Sequence, residues 1–325
     1  MTACCWFLVL PGLVWTAVRL CGVERGFLVQ LISFTPYLAA WAVVPVAVAL
    51  VLRRRPAAVI AGLVALTMGV VVAPRALPAD PPTAGGPMVR VLTANLLAGT
   101  ADATNLVRLV RDHGVDVLAL QEFTPSAKDE LHRLGLGDLL PYRLVATEVG
   151  PTGSGLYSRF PISGGGIRRN EGGFSQAYGT LAVPGTPPVK VESAHPMSPY
   201  SLSALRWWWT DLRAQPPATP SGELRILAGD FNATLDHAPL RALLATGYVD
   251  AADAAGTGLT GTWGPYDGDL IPPVVIDHVL VDQRIVVSGA SVHPLPGSDH
   301  RAVLAELRLP TGRGVEFGRS GYIPG

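Results

Sequence analysis

The chain reads as a mixed α/β domain carried behind three membrane-spanning helices. Three observations lead there. Residues 1–74 hold only six charges, Arg19, Glu24, Arg25, Arg53, Arg54 and Arg55. Three apolar runs in that stretch approach or exceed the roughly 20 helical residues that cross a hydrocarbon core. Beyond residue 88, short β-rich runs alternate with helical stretches, the pattern of a domain mixing strands and helices.

The apolar runs cover residues 1–18, 26–52 and 56–74, none with an internal charge. Three such runs in succession argue against a cleaved signal peptide or a single buried core helix, so residues 1–75 are expected to form a three-helix transmembrane anchor. The first run is the shortest and contains Pro11. Arg53, Arg54 and Arg55 fall between the second and third runs. Positive charge in short loops stays on the cytoplasmic side, which places everything after Pro74 outside the cell: a multi-pass cell-membrane protein with its folded domain extracellular. Cys4, Cys5 and Cys21 all lie in the apolar region, so the remainder can form no internal disulfide and tolerates an oxidising compartment.

Residues 76–87 contain Pro78, Pro81, Pro82, Gly85, Gly86 and Pro87, a composition that builds no core and reads as a semi-rigid linker. The domain then occupies residues 88–310. Strands are expected at 89–95, 115–121, 189–193, 224–228, 274–281 and 302–307, and helices at 104–112 and 201–214. A glycine-rich, aperiodic tail, residues 311–325, follows. Past Pro74 there are 20 basic and 24 acidic residues. That balance is a poor footprint for nonspecific nucleic-acid binding, which draws its affinity from phosphate neutralisation.

Polar residues gather at the ends of the expected strands: Asn95, Glu122, His195, Asp230 with Asn232, Asp277, and Asp299 with His300. Strand ends and the loops after them are where sheet folds collect active sites. Hydrolysis of a phosphate ester calls for this mixture. Carboxylates hold a hard cation and orient water, and an imidazole and an amide face the phosphoryl oxygens.

The blocks carrying these residues are VLTANLLAG (91–99), DVLALQEF (116–123), GLYSRFPI (155–162), ESAHPMSP (192–199), ILAGDFNA (226–233), IDHVLVD (276–282) and GSDHRAVLAEL (297–307). In this order the chain resembles the endonuclease/exonuclease/phosphatase superfamily of DNase I-like nucleases, inositol phosphatases and bacterial sphingomyelinases. Each block alone is a weak signal, and an isolated Gly-Asp-Phe-Asn is as well explained by an Asx turn. The ordered set is specific. The resemblance implies a four-layer α/β sandwich, two packed, mostly antiparallel sheets flanked by helices, with the site at one open edge. It implies Mg²⁺, with Mn²⁺ as an alternative, held by Glu122 with Asn95 and Asp299 completing or orienting the shell. Asp230 would orient or deprotonate the attacking water and Asn232 would donate to a nonbridging phosphate oxygen. His300, fixed by Asp277, would stabilise phosphoryl charge. His195 resembles the histidine that supports leaving-group protonation in the DNase I-like branch, yet the acidic partner that pattern offers near Ser154 is missing here.

The remaining histidines, His113, His132, His237, His278 and His293, and the carboxylates Asp102, Asp116 and Asp236, read as structural or solvent-facing. Trp207, Trp208 and Trp209 are consecutive, so they cannot all face inward on a helix of 3.6-residue period. At least one is left for lipid or substrate. Trp263 is placed to wall the cleft or to pack. Fold and motifs specify phosphoester hydrolysis without naming the ester. The anchor and the lack of a basic surface favour a lipid-linked phosphate at the outer face of the bilayer. The architecture is also similar to VanJ-type membrane hydrolases associated with glycopeptide resistance, which implies a lipid-linked cell-wall intermediate. A surface-bound nuclease and a noncatalytic membrane scaffold are the alternatives.

Overall fold

Every residue of the run Val117–Gln121 is buried, which a strand achieves only when both its faces are covered. The same holds for Ser154–Ser158 and Asp277–Asp282. Such strands form the middle of a layered fold. The computed structural model describes residues 2–79, 85–264 and 270–311. After five N-terminal helices come β1 (Met88–Asn95), α6 (Ala103–Asp112), β2 (Val117–Gln121), α7 (Pro125–Arg133), α8 (Leu136–Leu139), β3 (Tyr142–Ala146) and β4 (Ser154–Ser158). They are followed by β5 (Ile162–Arg169), β6 (Ser175–Leu181), β7 (Val189–Ala194), α9 (Leu205–Arg213), β8 (Leu224–Asp230) and α10 (Ala238–Leu244). The last elements are β9 (Tyr248–Asp250), α11 (Ala251–Ala254), β10 (Asp277–Asp282), β11 (Val286–Pro294) and β12 (Arg301–Arg308).

Two six-stranded sheets result, in the orders β11-β12-β1-β2-β4-β3 and β5-β6-β7-β8-β10-β9. Each has one parallel pairing, β1 with β2 and β7 with β8, and is otherwise antiparallel. Val91, Val117 and Val303 of the first sheet meet Val191, Ile226 and Val279 of the second in the central core. Outside the first sheet, Leu106 and Val110 of α6 and Leu131 of α7 form a second core. Outside the second sheet, Trp208, Leu212 and Leu240 of α9 and α10 form a third. The order helix, sheet, sheet, helix is the four-layer sandwich expected from the motifs.

The N-terminal helices are α1 (Thr2–Cys21), α2 (Leu28–Ile32), α3 (Thr35–Trp41), α4 (Val43–Val51) and α5 (Arg55–Val72). Among the described residues, two stretches are long and apolar enough to cross a membrane, Cys4–Cys21 and Arg55–Ala76, and most of each faces outward. Phe7, Leu66 and Val70 are each more than 60% exposed, an apolar surface that water disfavours. Small residues bring the helices together, Cys5 against Ala49, Ala57 and Ala58, and Ala42 against Val64 and Met68.

The apolar run over residues 26–52, expected to form one spanning helix, is not continuous. That run is broken into α2, α3 and α4. Pro36 in the first turn of α3 and Pro45 as the third residue of α4 carry no N–H, so neither continues a helix from the preceding turn. The apolar stretch Thr35–Val51 spans only about 25 Å, against roughly 30 Å of hydrocarbon.

The short α2 turns to the second sheet instead. Val29 is fully buried in the third core, its carbonyl oxygen lies 2.8 Å from His237 Nε2, and Gln30 donates to the carbonyl of Pro199 at 2.6 Å. Asp236 is buried between Arg19 of α1 and Arg75 of the turn after α5. The linker is tied at both ends, Ala79 N donating to Ala254 O and Leu309 N to Pro87 O. Its middle, residues 80–84, and residues 312–325 of the expected tail lie outside the described residues.

Candidate active site

Strand register assembles the site. The parallel pairing of β1 with β2 sets Asn95 opposite Gln121, so Glu122 emerges beside Asn95. The antiparallel pairing of β8 with β10 sets Asp230 directly opposite Asp277. Ser298 Oγ donates to the Asn95 carbonyl and accepts from His300 N, which draws the segment before β12 onto the end of β1. Gly229 is required by close approach. A Cβ there would stand 1.9 Å from the Ala194 carbonyl oxygen across the β7–β8 pairing.

Four non-glycine residues at this edge hold left-handed backbone, Leu97, Ala98, Glu122 and Asn232, with φ between 46° and 54°. Each such residue costs of order 1 kcal/mol or more and persists only when its surroundings over-determine it. Here the surroundings do. Leu97 N donates to Asn95 Oδ1 at 3.0 Å, Ala98 N to Glu122 Oε2 at 2.7 Å, and Asn232 N to Asp230 Oδ1 at 2.8 Å.

The side chains expected from sequence converge. The Asn95 amide nitrogen bridges two carboxylates, Glu122 Oε1 at 3.1 Å and Asp230 Oδ2 at 3.0 Å. Both His195 Nε2 and His300 Nε2 lie 3.7 Å from Asp230 Oδ2. His300 Nδ1 faces both oxygens of Asp277, at 2.9 and 3.1 Å. The Asn232 amide donates to the Pro196 carbonyl at 3.1 Å, which leaves it one N–H. Asp299, with its side chain 42% exposed, accepts from the Trp263 indole through Oδ2 at 2.9 Å. Trp263 thereby forms part of the site wall.

Burial sets the charge states. Asp230 is raised above the ordinary carboxylate value, first by burial and then by the nearby Asp277, against the opposing pull of His300. Burial alone would lower His300, but Asp277 and Asp230 outweigh it and hold the imidazole well above its ordinary value. His195 goes the other way, pushed down to about 3 by burial and by the charge of His300. Its Nδ1 is buried with no partner among the described residues, and its ring packs edge-on against Phe174.

The donor set fits a divalent cation. Four carboxylates meet at this edge with no Lys or Arg ion pair to any of them among the described residues. The Asp299 Oδ1 atom is buried without a hydrogen-bond partner. Asp230, Asp277 and His300 also bring ligand-type atoms within 4.8 Å of one another, but the Asp277 carboxylate already occupies His300 Nδ1, as a hydrogen-bonded charge pair does. Glu122 and Asp299 are the carboxylates left for an ion, and hard oxygen donors suit Mg²⁺ or Mn²⁺.

The profile of the Endonuclease/Exonuclease/phosphatase family matches residues 92–300. The chain belongs to that family. Solved structures share its fold. An endonuclease/exonuclease/phosphatase from Beutenbergia cavernae superposes with a TM-score of 0.56 at 19% identity, over 69% of this chain and 72% of that one. The D. rerio TDP2 complexed with single strand DNA product gives 0.52 at 15% identity, over 68% and 99%. A family protein from Leptotrichia buccalis gives 0.52 at 16% identity, over 68% and 100%. No curated protein matches the chain significantly.

Around the site of this family member, the indoles divide as helical periodicity requires. Trp208 is fully buried and donates to the Asn232 carbonyl at 2.8 Å, while Trp207 and Trp209 are partly exposed beneath Arg206 and Arg213. His278 is buried between Asp250 and the Ala233 carbonyl. His237 bonds Thr234 N at 2.8 Å and stacks edge-on with Trp208. Asp102 caps α6 and Asp116 pairs with Arg159. Sequence reasoning missed Ser298 and Asn170, which positions His195 by donating to its carbonyl at 2.8 Å. Ser298 stands inside the GSDH block, so its place next to Asp299 was the available signal.

Proposed function

We propose that the chain is a membrane-anchored, divalent-metal-dependent phosphoesterase that hydrolyses a lipid-linked phosphate ester or pyrophosphate at the outer membrane face. The observation that carries this reading is the bridge from Asn95 to both Glu122 and Asp230, with two buried imidazoles on the same Asp230 oxygen. Glu122 with Asp299, oriented by Asn95, would hold the cation, which when bound supplies positive charge to the phosphoryl oxygens. Asp230, raised by burial, is a base poised nearer neutrality than a solvated carboxylate. It takes a proton from water. His300, kept cationic by Asp277, faces the developing phosphoryl charge, and Asn232 offers its free N–H to a nonbridging oxygen. His195 is neutral at physiological pH, so it acts as a fixed N–H donor rather than as the general acid.

The outward apolar faces of the Cys4–Cys21 and Arg55–Ala76 helices support the anchor. The topology gains an argument from Asp236. Arg19, Arg25 and Arg75 sit on the domain side, which counts against an outer position under the positive-inside rule, but Arg19 and Arg75 are tied into one buried carboxylate. The Arg53, Arg54 and Arg55 turn is the remaining cluster. A cytoplasmic turn there leaves the domain extracellular, where a lipid-linked cell-wall intermediate, and with it a role in glycopeptide resistance, becomes accessible.

The test keeps the chain whole, because deleting the anchor strips Asp236 of its arginines. Full-length protein in proteoliposomes should hydrolyse a polyprenyl pyrophosphate with Mg²⁺ far faster than DNA. Strong DNA cleavage that falls steeply with salt, without lipid-phosphate turnover, would replace this reading with a nuclease. A cytoplasm-only reporter active when fused after Pro310 would reverse the topology.

A further inference from the structure

Two concavities flank the turn between α1 and α2. The first is an apolar groove of about 400 Å³ walled by Leu10, Val14 and Val18 of α1 and by Leu28 and Leu31 of α2. The second, of about 380 Å³, lies between residues 22–26 and α9, and is lined by Glu24, Arg25, Trp209 and Arg213. Gly22, the residue after α1, donates through its N–H to the Val18 carbonyl at 2.9 Å, and Leu28 follows Gly26 by two residues. The apolar groove and the charged chamber are thus built on neighbouring stretches of sequence, at the end of a helix long enough to span a bilayer.

The chamber has unspent polar capacity. Among the described residues Arg25 and Arg213 make no ion pair with a carboxylate, and Arg213 stacks over Trp209 at 5.0 Å. Glu24 is fully buried. Its Oε1 accepts from Ala238 N, while Oε2 is buried with no partner. Glu24 is balanced by the neighbouring Arg241, whose guanidinium bonds the Asp236 and Arg19 carbonyls, so Arg25 and Arg213 are left to face an anion, together with one acceptor that needs a donor. The complement is an anion that also carries a hydroxyl, joined to an apolar chain.

We propose that the α1–α2 turn binds one phospholipid with a hydroxylated, monoanionic phosphodiester headgroup, of which phosphatidylglycerol is the simplest. The acyl chain lies in the groove, the phosphate between Arg25 and Arg213, and a headgroup hydroxyl on Glu24 Oε2. This site is distinct from the catalytic edge, which α9 reaches through Trp208. The proposal rests on α1 spanning the bilayer.

Full-length protein from nanodiscs of equal phosphatidylglycerol and phosphatidylcholine, released into detergent and examined by native mass spectrometry, should retain one phosphatidylglycerol. The R25Q/R213Q double variant should lose about tenfold or more in retention, the scale of one charge-assisted hydrogen bond. V14W, which fills the groove, should lose it too. Equal retention of the two lipids, undiminished retention in the double variant, or displacement by inorganic phosphate alone would overturn the proposal. Alkaline carbonate extraction separates the two readings. A chain that stays in the membrane but holds no lipid refutes only the lipid site, whereas a chain that washes off refutes the anchor and the lipid site together.

Discussion

Arg75 grips Asp236 through both terminal nitrogens, at 2.7 and 2.8 Å, and Arg19 adds a third contact to the same carboxylate at 2.7 Å. Breaking a buried pair from one side leaves uncompensated charge and costs about 3–5 kcal/mol. Asp236→Ala should therefore destabilise the full chain by that order, read from thermal or denaturant unfolding in detergent. A loss below about 1 kcal/mol would mean that water reaches the arginines.

The same carboxylate predicts an acid limb in stability. Burial alone would raise Asp236, but Arg75 and Arg19 hold it below its ordinary value of 3.8. Depressed in the folded state, it contributes stability that is complete above pH of about 4 and is lost as pH falls through the folded value. Asp236→Asn should flatten the stability profile below about pH 4 relative to the parent. An identical acid limb in both proteins would assign it to other groups.

Glu122 accepts from Asn95 and Ala98 N, and its backbone is left-handed. Glu122→Ala should lower Mg²⁺-dependent turnover of a phosphodiester by about 10²-fold or more and abolish calorimetric Mg²⁺ or Mn²⁺ binding, while the chain stays folded by circular dichroism. Chelation should silence the parent to the same floor. Full activity in the variant would remove Glu122 from the metal site.

His195 and His300 flank one Asp230 oxygen in opposite charge states. Nitrogen NMR should find His195 neutral throughout pH 5–8 and His300 protonated over the same range. His300→Gln should then cost more in kcat than His195→Gln, which loses a neutral donor. A His195 that titrates near pH 7 would restore it as a candidate general acid.

The strand-end residues were legible because their turn chemistry is local: the Asp230 carboxylate bonds the N–H two residues on, within a stretch that sequence displays whole. The node at Asp236 was not. Its partners stand 161 and 217 residues away, and nothing near Asp236 distinguishes it from a solvated loop carboxylate. The breaks in residues 26–52 do not show in hydropathy, which stays apolar across the run; they lie near Pro36 and Pro45, and Val29 is buried against the second sheet. Six strands, β3, β4, β5, β6, β9 and β11, lie outside the expected runs. β5 has Gly164, Gly165 and Gly166 in a mostly exposed run, and β11 is bulged near Gly289, so neither shows a clean two-residue period.

The Asn95 amide comes from one sheet and Asp230 from the other, and the Gln121 side chain crosses the same gap to Ser193 at 2.9 Å. The reacting groups are thus mounted on opposite jaws, and the valines and isoleucine between the jaws act as the spacer that sets their gap. A methylene removed from Ile226 or Val91, in the core between the sheets, alters that calibration without touching a polar atom. Catalytic rate should consequently respond to the thickness of an oily layer that never meets the substrate.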